Sequence, residues 1–401
     1  MPDRRQRMFA LLYFAEGAPI GFIWWTLPTA LRSAGVPVES ITALTSLVVL
    51  PWALKFAWAP LVDALRGPRF GLRAWIVVAQ VLMALSLVPL LFVGELASSL
   101  PMLTGLLVVH ALAAATQDVA IDALSIATVP EEERGALNGW MQAGMLVGRA
   151  AFGGGALLLG SALDPRWMVG AMIAVLLATS MLVLRADLVE APPEPGRGRR
   201  FFREALAMLV TPGTWIAFAF ALSGEATFKG VGSVVGPYLI DHGIAQETVG
   251  VFFGVGSVSA MVVGALVGGR LADRVGRRRV ILAGQLTMAI AVVTLAWVGE
   301  ARSLPAIGWA ALATFYLGVG LFTAASFAMF MDMTDPRIGA TQFSAYMGLT
   351  NACEAWSTRA VGEVVSRSGY GVAFTMAAGL GTLALALVPW LRPRDYGSQT
   401  S

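Results

Sequence analysis

Ten polar or charged side chains sit inside long apolar runs of this chain: Glu16, Lys55, Gln117, Asp118, Asp122, Arg149, Glu225, Lys229, Asn351 and Glu354. An ionised side chain at the centre of a lipid bilayer costs at least roughly 2.5 to 3.5 kcal/mol, so each needs a partner, a proton or a ligand. Asp118 and Asp122 are four apart and share one helix face. Measured from the charged connector near Glu132, Asp118 lies about 14 residues back and Arg149 about 17 forward, so their depths differ by about 4 to 5 Å. An ion pair across two antiparallel helices fits that spacing. A carboxylate that exchanges a guanidinium for a proton is a means of coupling, because desolvation works against its charge and the cation works for it. A static pair would be a structural buried network and nothing more. Glu225 and Lys229, four apart, are spaced to pair along their helix, and Glu354 shares a face with Asn351. Arg359 and Glu363, also four apart, suit an outer gate or a structural pair. Trp24 and Trp25 suit packing, interface anchoring, or stacking on a sugar or aromatic ligand.

Catalytic chemistry finds no support in the same inventory. His110, His242 and Cys353 are isolated, so no nucleophile with a base, no disulfide and no metal constellation is spelled out. Neither an enzyme nor a cofactor or metal is expected.

The elements that position these groups follow from composition. Of 401 residues, 57% are hydrophobic and 13% charged, and mean hydropathy is +0.72; a soluble domain is far more polar. Apolar stretches long enough to cross about 30 Å of hydrocarbon recur along the whole length. Twelve are predicted, α1 to α12, at about 8–31, 40–60, 74–93, 100–128, 134–161, 167–184, 215–240, 248–268, 280–298, 305–331, 339–365 and 371–391. No cleavable signal peptide is expected at the N-terminus. The Arg- and Pro-rich stretch between α6 and α7 reads as a linker, which divides the chain into an N-terminal six-helix bundle at 1–185, a cytoplasmic linker at 186–211 and a C-terminal six-helix bundle at 212–401. Internal correspondences support the division: Glu16 and Pro28 fall on Glu225 and Pro237 at an offset of 209, Gly144 on Gly348 at 204, and Asp63 on Asp273 at 210. The +3 formal charge does not point to nucleic acid. Of the 28 Lys and Arg, 20 lie in the tails and alternate connectors on one side, 4 on the other and 4 within the apolar runs, which places both termini in the cytoplasm.

The connector after α8 carries the most specific motif. Residues 269–278, GRLADRVGRR, resemble the G-x-x-x-D-R-x-G-R-R signature of the major facilitator superfamily of carriers. Gly269, Asp273, Arg274, Gly276 and Arg277 would then belong to a cytoplasmic gate that opens during transport. The first-half counterpart keeps Asp63 but has Ala59 for the glycine and Ala64 for the arginine. YFAEGAP at 13–19, PWALKFAWAPLVD at 51–63, QDVAID at 117–122 and PEEERG at 130–135 are similar to the AmpG-like peptide, acetyl-coenzyme A and drug transporter family. The resemblance implies the major facilitator fold and roles in transport for Lys55, Gln117 and Asp118. It also implies a muropeptide permease or, within the same family, a siderophore importer.

These readings together predict a multi-pass secondary transporter of the inner (cytoplasmic) membrane. It is expected to import a polar small molecule with protons, to act as a monomer in the lipid bilayer, and to bind no nucleic acid. Intramembrane charges of both signs suit a sizeable polar ligand, and the family resemblance makes a muropeptide the first choice; a siderophore importer is the alternative, followed by a drug or metabolite exporter.

Overall fold

The computed structural model describes residues 4–64, 70–94, 98–128, 133–160, 164–186, 203, 206–209, 212–299, 303–334 and 339–391, and every regular element among them is helical. The helices are α1 Arg4–Ser33, α2 Val38–Ala64, α3 Leu72–Phe92, α4 Leu100–Thr128, α5 134–159, α6 Pro165–Leu184, α7 212–241, α8 Gln246–Val275, α9 Arg277–Val298, α10 Ala306–Met333, α11 339–368 and α12 370–390. Among the described residues, nine continuous helical stretches are long and apolar enough to cross a membrane, and one of them contains both α11 and α12. That stretch turns at Gly369, whose φ of 77° is open to glycine and strained for other residues. With α5 and α7 the spans among the described residues number twelve, in the order predicted.

Two elements differ from expectation. Composition predicts a continuous α7, yet the helix stops at Ser223 and restarts at Ala226. Gly224, with its poor helix propensity, marks the break, and Glu225 becomes the N-cap of the second piece. α8 runs on to Val275, about two turns past its expected end, so Asp273 and Arg274 lie on helix rather than in a connector. Gly276, at φ 93°, then separates α8 from α9. In addition, α1, α5 and α8 each contain a π-helical turn, at Phe22–Thr26, Ala150–Gly154 and Phe252–Ser257. One extra residue per turn rotates everything beyond it, and such bulges are frequent at functional sites.

The described contacts form two compact units. The first is Met1–Val36, Ala57–Gly198 and Ala245–Val255; the second is Pro37–Phe56, Arg199–Ile244 and Gly256–Ser401. In the first, α1 and α5 cross backbone to backbone. A side chain at Gly17 or Gly21 would fall on the carbonyls of Met145 and Arg149, and one at Gly144 or Gly148 on those of Ala10 and Phe14. Helices without a hydrophobic drive to associate in lipid gain their contact from such small-residue faces. In the second unit, α8 meets α10 in the same way, through Gly264, Gly268 and Gly320.

Each unit also contains a version of one polar device. In the first, Arg73 at the start of α3 donates to the carbonyl of Ala186 just past α6, at 2.7 Å. In the second, Arg278 at the start of α9 donates through Nε and Nη2 to the carbonyl of Leu391 just past α12, at 2.9 and 2.5 Å. Both members are displaced by 205 residues, 73 to 278 and 186 to 391. The fully buried Gln80 and Gln285 obey the same displacement: Gln80 bonds Thr179 and Ser180 of α6, and Gln285 bonds Thr227 of α7.

Candidate functional site

In the first unit, the α1–α5 glycine crossing and the packing of α1 on α4 gather the acidic residues. Tyr13 is buried in a core cluster that includes Phe9, Leu12, Ile121 and Leu124, and its hydroxyl donates to Asp122 Oδ1 at 2.7 Å. Tyr13 lies within electrostatic reach of three carboxylates, Asp122, Asp118 and Glu16. Glu16 and Asp118 are buried at 3% and 7% exposure, and Asp122 is half-buried. Gln117 is fully buried, and among the described residues neither atom of its carboxamide has a hydrogen-bond partner. A donor and an acceptor left open side by side are expensive in an apolar surrounding, and a ligand amide offers the matching pair. On the last residue before the π-turn of α5, Arg149 places its guanidinium 5.5 Å from the centre of the Trp25 ring. Trp25 itself stacks on Phe253 at 5.3 Å with the rings 7° from parallel. Trp24 beside it is half-buried.

In the second unit, the break in α7 puts Glu225 at the head of a helix one turn from Lys229. The Lys229 ammonium donates to Glu354 Oε2 on α11 at 2.6 Å and stands 3.8 Å from Glu225 Oε2. It also lies 5.0 Å from the Phe228 ring centre. Both carboxylates are buried, and Glu225 Oε1 has no hydrogen-bond partner among the described residues. Asn351 is one turn from Glu354 on α11 and half-buried, as is Lys55 on α2. Near the exposed end of α11, Arg359 pairs with Glu363 at 2.8 Å.

At the α8–α9 connector, Arg277 Nε meets Asp332 Oδ2 of α10 at 2.5 Å. Asp273, Gly276, Arg277 and Asp332 line a cavity of about 500 Å³ together with Arg278 and Arg279. Arg274 is exposed, and a side chain on Gly269 would meet open space. The side chain of Asp63 lies outside the described residues.

Sequence reasoning left two participants out of the site. Tyr13 lies within the YFAEGAP segment but bears no charge, so only its place three residues before Glu16 signals it. Asp332 ends an apolar run, and its partner Arg277 is 55 residues away. The two histidines prove structural: His110 bonds Ser86 and the Met83 carbonyl, and His242 lies between the carbonyls of Tyr238 and Gly299.

The sequence profile of the Major Facilitator Superfamily matches residues 9–262 and 225–400. The chain belongs to this superfamily. It is similar to the anhydromuropeptide permease of Escherichia coli K12, with 28% identity covering 96% of this chain and 79% of that protein. It is also similar to a transporter named AmpG 4 of Rickettsia conorii, with 22% identity covering 98% and 97%. In fold it is similar to a point mutant of the nucleoside transporter NupG, at a TM-score of 0.74 with 12% identity covering 97% and 100%. The inward-open xylose transporter XylE from E. coli follows at 0.73 with 14% identity covering 98% and 97%. The protein is therefore a major facilitator carrier, a multi-pass membrane transporter of small molecules. Its two buried polar clusters hold charge away from water, a cost that a partner, a proton or a ligand must offset.

Proposed function

We propose that this carrier imports muropeptides, driven by the proton gradient, across the inner (cytoplasmic) membrane. The observation that carries the reading is the pair of buried clusters of mixed charge. Glu16, Asp118, Asp122 and Arg149 in one unit, and Glu225, Lys229 and Glu354 in the other, match a large polar solute bearing carboxylates and an amine better than an apolar drug. The name of the E. coli relative supports the same solute. Asp118 or Asp122 takes the proton, with Arg149 as the competing cation. Gln117, Lys55 and Asn351 complete the pathway. Asp63, Gly269, Asp273, Arg274, Gly276 and Arg277 form the cytoplasmic gate. Each six-helix half, 1–185 and 212–401, acts as one bundle joined by the cytoplasmic linker 186–211; the protein works as a monomer with both termini inside.

Competitive uptake into proteoliposomes tests the substrate. Labelled anhydromuropeptide is expected to enter saturably and to be displaced by unlabelled muropeptide but not by a ferric siderophore. Saturable entry of the siderophore alone would transfer the reading to that alternative.

A further inference from the structure

We propose that Tyr13 divides the work of the two α4 carboxylates: its hydroxyl fixes Asp122 as a standing hydrogen-bond acceptor and leaves the movable proton to Asp118. The inference deepens the proton-coupled reading above and rests on it. Three observations carry it.

The first is the bond itself, 2.7 Å from the phenol oxygen to Asp122 Oδ1. A phenol ordinarily titrates near 10 and so offers a donor throughout the physiological range, while an ionised carboxylate only accepts. The bond is charge-assisted and about twice as strong as one between neutral groups. Secondly, the donor cannot swing away. Tyr13 is 6% exposed, within a core cluster that includes Phe9, Leu12, Ile121 and Leu124, and α1 is locked to α5 by glycines that tolerate no side chain.

Depth is the third observation. Arg5 Nη1 donates to the carbonyl of Thr128 at the end of α4, the end that the proposed orientation places in the cytoplasm. From there Asp122 lies about 9 Å along the helix and Asp118 about 15 Å, close to the midplane of a 30 Å hydrocarbon core. A carrier that exposes one site alternately to each side needs its exchangeable proton at the midplane; Asp118 occupies that level and Asp122 does not. Among the described residues of the helices packed on α1 and α4, the charged groups besides Asp118 and Asp122 include Arg4, Arg5, Arg7 and Glu16 of α1, Arg73 of α3 and Arg149 of α5. The phenol that holds Asp122 is itself neutral, so the anchor sets geometry without adding charge.

The test uses purified full-length protein in proteoliposomes with an imposed pH gradient and labelled anhydromuropeptide. It compares gradient-driven accumulation with counterflow exchange, which needs no net proton movement. Asp118→Asn is expected to lose accumulation while retaining exchange. Tyr13→Phe keeps the ring but frees Asp122 to compete for the proton; accumulation should fall about tenfold, the equivalent of one lost bond, with exchange reduced less than about threefold. Adding Asp122→Asn to Tyr13→Phe removes the competitor and should recover most of the accumulation, which a purely structural tyrosine would not allow. Asp122→Asn alone should lower the rate a few-fold but leave the solute accumulated.

Normal accumulation by Tyr13→Phe, or loss of accumulation in Asp122→Asn with retention in Asp118→Asn, would overturn the proposal. The Asp118 and Asp122 comparison stands even where Tyr13→Phe does not fold. Wild-type protein that exchanges muropeptide but ignores the gradient would remove the proton-coupled reading, and this inference with it.

Discussion

The two polar clusters solve the same physical problem with different chemistry. In the second unit one ammonium, Lys229, serves two carboxylates, at 2.6 Å from Glu354 and 3.8 Å from Glu225. In the first, Asp122 is held by a neutral hydroxyl, and the guanidinium of Arg149 lies over an indole. A cluster balanced by a cation collapses electrostatically when that cation goes. Removing a neutral donor takes away one hydrogen bond and no charge. Under the proposed function, the second cluster is expected to hold helices α7 and α11 together and the first to exchange the proton.

The largest effect is therefore expected at Lys229. Lys229→Met leaves two buried carboxylates without their cation, a change that costs about 3 to 5 kcal/mol for a broken buried pair. The melting temperature in detergent should drop sharply, and Lys229→Met with Glu354→Leu should recover much of it, since the pair is then replaced by apolar packing. Tyr13→Phe, which removes one hydrogen bond and no charge, should lower that temperature less. Equal thermal losses in both variants would erase the distinction between the clusters.

A smaller effect sharpens the comparison of the repeats. At the matching carbonyls, among the described residues, Arg278 makes two bonds to Leu391 and Arg73 one to Ala186. A bond from a charged donor contributes about 1.5 to 3 kcal/mol, so Arg278→Ala should destabilise more than Arg73→Ala when unfolding is followed by the same method. Identical losses, or the reverse order, would mean that the two devices are not equivalent.

Much of the fold could be read from the chain because lipid imposes length: a run of apolar residues long enough to span is visible whatever packs against it. The break at Gly224 was not, because one glycine inside an apolar run is tolerated as often as it breaks a helix. The π-turns were hidden for a related reason, since one additional residue barely alters a periodic pattern. Correspondences between the halves were traced through connectors and charges at offsets of 204 to 210. The cleanest repeat, Gln80 with Gln285 and Arg73 with Arg278 at 205, rests on lone polar residues whose partners only the fold reveals. The charged members of the site stood out by their energetic cost. Tyr13 did not, because an aromatic residue in an apolar run is ordinary until a carboxylate 109 residues away is found beside its hydroxyl.

If solute and proton cross together, as proposed, solute entry alone must carry protons inward even without an imposed gradient. Proteoliposomes loaded with a pH-sensitive dye receive anhydromuropeptide outside, and lumenal pH is followed while solute enters. Lumenal acidification is expected to track solute entry in the wild type and to disappear in Asp118→Asn, whose counterflow persists. Muropeptide entry with no change in lumenal pH would contradict coupled transport.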